Sequence, residues 1–110
     1  IVHWNTPLLL KKQLKLLHKS ELKIIIIDNA SSKSVSWITN EFPRVRLIEN
    51  KINRGFAFAC NQGIVNGIGK WFLFLNPDVE ITPKQIEKMI EYAENEIKEW
   101  QKFIKKCKKQ

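Results

Sequence analysis

Cysteine is nearly missing from this chain. Cys60 and Cys107 are the only two, and neither has other ligand types at metal-binding spacing, so a disulfide framework and a metal clip are both set aside in favour of reduced thiols. Glycine and proline are scarce as well, four of each, which makes each one a marker of where the chain turns. Long apolar runs are absent: residues 24–27 and 71–75 are the longest, far short of the roughly 20 residues a bilayer crossing needs. No basic, apolar and small leader precedes them, and a cytoplasmic location is expected. Acid is in deficit, with 11 Asp and Glu against 19 Lys and Arg, a formal charge of +8 and a pI near 9.7. Much of the excess sits in Lys98, Lys102, Lys105, Lys106, Lys108 and Lys109. Lysines there suit the negative end of a helix dipole and read as a solvated face. On that account a nucleic-acid module is the weakest reading.

What is present describes one small domain. A hydrophobic content of 44% with 27% charged residues is ordinary for a globular chain, and 110 residues hold one modest core. Ile1-Val2-His3-Trp4 reads as a strand whose beginning has been cut away. Thr6-Pro7 supplies a helix cap and first residue, followed by an apolar stripe of Leu9, Leu10, Leu14 and Leu17. Ile24, Ile25, Ile26 and Ile27 suit a strand buried on both faces, ended by Asp28-Asn29-Ala30-Ser31-Ser32. Ser34 is placed to cap a short helix carrying Val35, Trp37, Ile38 and Phe42, which Pro43 breaks. Residues 44–49 alternate as an edge strand does. Asn53 to Gly55 turn the chain into a helix from Phe56 to about Asn66, closed by Gly67 and Gly69 before an expected fourth strand at residues 71–75. Thr82-Pro83 opens the last helix. The reading is a Rossmann-like parallel α/β sheet of about four strands with flanking helices, the fourth strand lying beside the first. Residues 1–83 form the α/β part and residues 84–110 a lysine-rich helix. Its seam of Ile86, Ile90, Ala93, Ile97, Trp100, Ile104 and Cys107 has heptad spacing, which suits packing on its own sheet or on a second copy.

Chemistry in such sheets gathers at the carboxyl ends of the strands. Asp28 follows one apolar strand there, either as an acceptor for a nucleotide base or ribose or as a turn-former. Asp78 follows the other, stiffened by Pro77, and a hard divalent cation would take its oxygens together with those of a diphosphate. The expectation is that these two carboxylates meet across one groove. Gly55 allows close backbone approach at a helix start suited to phosphate, and Arg54 adds a mobile charge. Ala57, Ala59 and Cys60 are small enough for tight helix–sheet packing. Asn61 is polar among them, placed to hold either a loop or a ligand. His3, Trp4 and Asn5 end the first strand, with Trp4 serving either as a base-stacking surface or as core. His18, Trp37 and Trp71 read as structural. No Ser-His-Asp, Cys-His or Walker arrangement occurs.

Four motifs in order, Val2-His3-Trp4-Asn5-Thr6-Pro7, Ile26-Ile27-Asp28-Asn29-Ala30-Ser31, Asn53-x-Gly55-Phe56-Ala57-x-Ala59-x-Asn61-x-Gly63-Ile64 and Phe74-Leu75-Asn76-Pro77-Asp78, resemble family 2 glycosyltransferases, nearest the rhamnosyltransferase-like subgroup. The resemblance covers roughly the first eighty residues. It implies the N-terminal part of a GT-A, nucleotide-diphospho-sugar transferase fold and sugar transfer from a nucleoside diphosphate sugar carrying UDP, dTDP or GDP. It further implies that His3, Trp4, Asn5, Asp28, Asn29, Arg54, Gly55, Asn61 and Asn76 serve the nucleotide sugar and that Asp78 holds Mg or Mn. Two departures stand out. The first acid of the metal motif is Asn76 here, leaving Asp78 as principal ligand, and the loop Ser31-Ser32-Lys33-Ser34 lacks the usual Asp-Gly pair. Beyond Pro83 the family continues into strands carrying the acceptor site and the general base, where this sequence has a heptad helix, so no catalytic base is assigned. The alternative expectation is a non-catalytic homologue acting as an interaction or dimerisation protein, a homodimer forming through the C-terminal helix or the sheet edge.

Overall fold

The computed structural model describes residues 1–108; residues 109 and 110, the end of the expected C-terminal helix, lie outside the described residues. Three strands, β1 (Val2–His3), β2 (Ile25–Asp28) and β3 (Arg46–Glu49), alternate with four helices, α1 (Pro7–Leu17), α2 (Trp37–Glu41), α3 (Phe56–Asn66) and α4 (Pro83–Lys108). The sheet is parallel in the order β1-β2-β3, with Val2 opposite Ile27 and Ile27 opposite Ile48. This is an α/β fold with flanking helices and a long C-terminal helix, in agreement with the N-terminal part of a GT-A fold.

Period-two alternation in β2 divides the core into two layers. Ile26 faces α1 and α2, where it joins Leu10, Leu14, Val35, Ile38, Phe42 and Val45 in one buried cluster. Ile25 and Ile27 face the other way, toward Ala59 and Cys60 of α3. In α1 the buried positions are Leu10, Gln13, Leu14 and Leu17, spaced by three and four residues as one helix face demands. Leu9, expected in that stripe, is instead 44% exposed.

Thr6 caps α1 with Pro7 as first helical residue, as expected, whereas the expected cap of α2 is displaced. Thr6 makes no side-chain cap bond in α1, and Ser36 rather than Ser34 precedes α2. Ser34 shapes the approach through its Oγ, which accepts from the Ser36 amide at 3.2 Å. At α4 the start is sharper. The Thr82 hydroxyl accepts from the Gln85 amide at 3.2 Å and the Gln85 side chain accepts from the Thr82 amide at 2.9 Å, a reciprocal capping box.

The main correction concerns residues 71–75, which do not form a fourth strand. Among the described residues no backbone–backbone hydrogen bond joins them to the sheet. An apolar run becomes a buried strand only where layers cover both its faces, and here Trp71, Phe72, Leu73 and Phe74 remain 38–51% exposed. The run lies along an apolar groove of about 600 Å³, whose other walls include Ile25, Ile27, Ile86 and Ile90. Gly67 allows this approach: a Cβ there would sit 2.6 Å from Phe72 Cε1.

Helix α4 touches the body through its first half. Ile86 is its one buried residue among those described, and Glu94 accepts from Lys70 and from the Trp71 indole nitrogen, each at 3.3 Å. From residue 95 to residue 108 every side chain is exposed.

Candidate functional site

At the carboxyl ends of β1 and β2 lies a buried polar cluster. His3 is fully buried and Asp28 is 3% exposed. The Thr6 amide donates to His3 Nε2 at 3.0 Å, which leaves the ring proton on Nδ1, pointing at Asp28 Oδ1 2.8 Å away. The pair is thus a neutral imidazole donating to a carboxylate. Ser31 supplies the remaining donors, its hydroxyl to Asp28 Oδ1 at 2.6 Å and its amide to Oδ2 at 3.0 Å. With both oxygens engaged, Asp28 fixes the β2 loop from below.

The loops above it are tied to each other. Asn5 and Ala30 both adopt positive φ, 53° and 61°, bending the chain sharply after β1 and β2. Asn5 donates its amide to the Ser31 hydroxyl at 2.9 Å and accepts from the Ser32 amide at 2.8 Å. Buried Asn29 reaches the third loop, donating to the Gly55 carbonyl at 3.2 Å while accepting from Asn50 at 3.2 Å. Asn50 and Gln62 in turn exchange two amide hydrogen bonds, of 2.7 and 2.9 Å.

Gly55 stands at φ 92° and ψ 171° before α3, its amide donating to the Asn53 side chain at 2.9 Å. The first intrahelical bond runs from the Ala59 amide to the Gly55 carbonyl. The amides of Phe56, Ala57 and Phe58 therefore have no acceptor among the described residues, the condition in which a helix start attracts anions. Arg54 lies 5.4 Å from the centre of the Phe58 ring.

The acidic turn is held from an unexpected direction. Gln13, 1% exposed within α1, donates its amide nitrogen to the carbonyls of Asn76 at 2.8 Å and Val79 at 2.9 Å. Its Oε1 is buried without a hydrogen-bond partner among the described residues. Asp78 stands between these anchor points with its side chain exposed, and among the described residues its carboxylate forms no hydrogen bond or ion pair. No group of three His, Cys, Asp or Glu side chains that could hold a metal occurs among the described residues. One unpartnered carboxylate is a poor cage but an adequate foothold for Mg or Mn, cations that take one or two carboxylates and complete their shell with phosphate oxygens and water.

These elements bound a groove of about 480 Å³ lined by Trp4, Thr6, Asn29, Asn53, Gly55, Phe56, Asn76 and Asp78 among others. Of the residues singled out from the sequence, Trp4, Asn29, Gly55, Asn76 and Asp78 come together there. His3, Asn5, Asp28, Arg54 and Asn61 do not line it, His3 and Asp28 lying beneath and Asn61 being exposed elsewhere on α3. The expected meeting of two carboxylates is thus corrected: Asp78 alone faces the groove. Sequence reasoning overlooked Gln13, Asn50 and Gln62. For Gln13 a signal existed, a polar residue on the buried stripe three positions after Leu10.

A parallel α/β sheet with its polar groove at the carboxyl edge is the class to which this molecule belongs. Residues 1–105 match the family model for Glycosyl transferase family 2, and the chain belongs to that family. It is 32% identical over 75 residues to the succinoglycan biosynthesis protein ExoO of Rhizobium meliloti, covering 66% of this chain and 22% of that protein. An uncharacterized glycosyltransferase of Methanocaldococcus jannaschii is 32% identical over 76 residues, covering 66% of this chain and 26% of its own length. Another, from Rickettsia felis, is 36% identical over 80 residues, 70% of this chain and 13% of that protein. The chain thus spans about a quarter or less of the curated relatives it matches. No solved structure matches it.

Proposed function

We propose that this domain binds a nucleoside diphosphate sugar in the groove at the carboxyl edge of the sheet, as the donor-binding part of a glycosyltransferase. One observation carries the reading. The unpartnered carboxylate of Asp78 and the open end of α3 border the same groove, supplying a cation foothold and amide donors for the oxygens of one diphosphate. Mg or Mn bound at Asp78, with the Asn76 side chain beside it, would neutralise diphosphate charge. Trp4, 55% exposed at the rim, offers a stacking face for the base. Asn29 and Gly55 shape the floor, and Asp28 and His3 act by holding that floor in place.

Sugar transfer also needs a base to deprotonate the acceptor hydroxyl. Among the groove-lining residues Asp78 is the sole titratable side chain, so the groove as it stands binds donor without supplying that base. This also sustains the second reading, a non-catalytic homologue. Calorimetric titration with UDP, dTDP and GDP, with and without Mn, tests the proposal. Metal-dependent binding of one nucleotide, lost in Asp78→Ala, is the expected result; absence of binding to all three would leave only the second reading.

A further inference from the structure

The outer end of α4 is fully exposed and sharply two-sided. At 100° per residue, Ile97, Trp100, Phe103, Ile104 and Cys107 fall within an arc of about 120°, broader than a two-residue coiled-coil seam. Trp100 is 61%, Phe103 56% and Ile104 49% exposed, and Trp100 meets Phe103 edge to face at 5.8 Å, forming one apolar ridge. The remaining surface of residues 97–108 carries five lysines against the single acid Glu99. Low mean hydropathy, aromatic residues on one side and lysines on the other are the features of a helix that lies in the plane of a lipid headgroup layer.

A second copy is the competing occupant, and the charges permit it in part, because Glu87, Glu91, Glu94 and Glu96 precede the lysine-rich end. An antiparallel pair would need the seam along both halves of the helix. Ile86, Ile90 and Ala93 are instead turned into the molecule's own apolar groove, so only the basic half is open, and two such halves repel. Trp100 at a seam position and Phe103 beside it also suit a soft boundary better than interdigitating knobs.

We propose that residues 97–108 of α4 dock this protein on an anionic lipid surface, with Ile97, Trp100, Phe103 and Ile104 entering the headgroup boundary and the lysines held by lipid phosphates. This does not depend on what the polar groove binds. The test is sedimentation of the full chain with vesicles of phosphatidylcholine alone and of phosphatidylcholine with one-third phosphatidylglycerol, at two salt concentrations. Binding is expected on the anionic vesicles only, weakening as salt rises. Each lysine near such a surface is worth roughly fivefold in partitioning, so the triple variant Lys102→Gln, Lys105→Gln, Lys106→Gln should bind roughly a hundredfold less. The pair Trp100→Glu and Ile104→Glu should abolish binding. All these positions are exposed, and an unchanged far-ultraviolet circular dichroism spectrum would verify folding. No sedimentation on anionic vesicles, or sedimentation that survives the Trp100→Glu and Ile104→Glu pair, would overturn the proposal. So would a dimer in light scattering that the same pair converts to monomer.

Discussion

The side chain of Gln13 and the backbone carbonyl of Asn76, 63 residues apart, are joined by a 2.8 Å hydrogen bond. A companion bond to Val79 makes this amide a two-point clamp on the turn that presents Asp78. Gln13→Leu keeps the volume and removes both donors. It should cost about 1–3 kcal/mol, since two part-buried carbonyls lose their partners, and loosen the aim of the carboxylate. Metal-dependent nucleotide binding should fall by roughly tenfold, an energy of about 1.4 kcal/mol. Urea denaturation and calorimetry measure the two effects separately, and unaltered binding would show that the clamp does not position Asp78.

Asp28 and Asp78 should behave oppositely when truncated. Asp28→Ala strands the buried His3 Nδ1–H and the half-buried Ser31 amide, with an expected cost of roughly 3 kcal/mol. For a domain of this size the Tm should drop by roughly 10 °C or more. Asp78→Ala removes an exposed side chain, so stability should stay within about 0.5 kcal/mol while metal-dependent binding disappears. Thermal melts of the two variants side by side decide this, and equal Tm values would contradict the assigned roles.

Substitution of Gly55 tests backbone conformation without steric interference. Nothing lies within 4 Å of a Cβ placed there, but the residue sits at φ 92° and ψ 171°, a region that residues with a Cβ avoid at a cost of about 1–3 kcal/mol. Gly55→Ala should lose that much stability in denaturant titration. Gly63→Ala, also with open space around the new Cβ but with ordinary helical backbone, should lose none.

Attachment of α4 should depend on pH. The Trp71 indole and then Lys70 hold the Glu94 carboxyl below its ordinary value. A carboxyl shifted down in the folded state stabilises that state above its unfolded pKa and loses the contribution as pH falls through the lowered value. Trp71 fluorescence should therefore change as the solution is acidified below the usual carboxylate range, and Glu94→Gln should remove that transition. A transition unchanged in the variant would place its origin elsewhere.

The sheet was readable in the sequence because its signals are local. Four consecutive isoleucines before Asp28, the Thr6-Pro7 start and the Thr82-Pro83 start each declare themselves within a few residues. The same locality explains the failures. Residues 71–75 have the composition of a buried strand, but a strand also needs a ladder partner and cover, and neither is written in the run itself. Asp28 and Asp78 look equivalent in sequence, each an acid closing an apolar run. What separates them is distant: His3 pairs with one, while the other has no partner among the described residues. Gln13 declared itself only as a polar residue on the buried stripe of α1; what it holds could not be read, because its acceptors are backbone carbonyls, which leave no trace in residue identity.

Leu75 borders the apolar groove and Asn76 the polar one, so residues 71–76 form a partition shared by two chambers. A surface that seats Trp71 and Phe74 more deeply would pull on the same short stretch of backbone that carries Asp78. Leu75 and Asn76 are thus the point at which the greasy and the charged chamber come within a single peptide bond of each other.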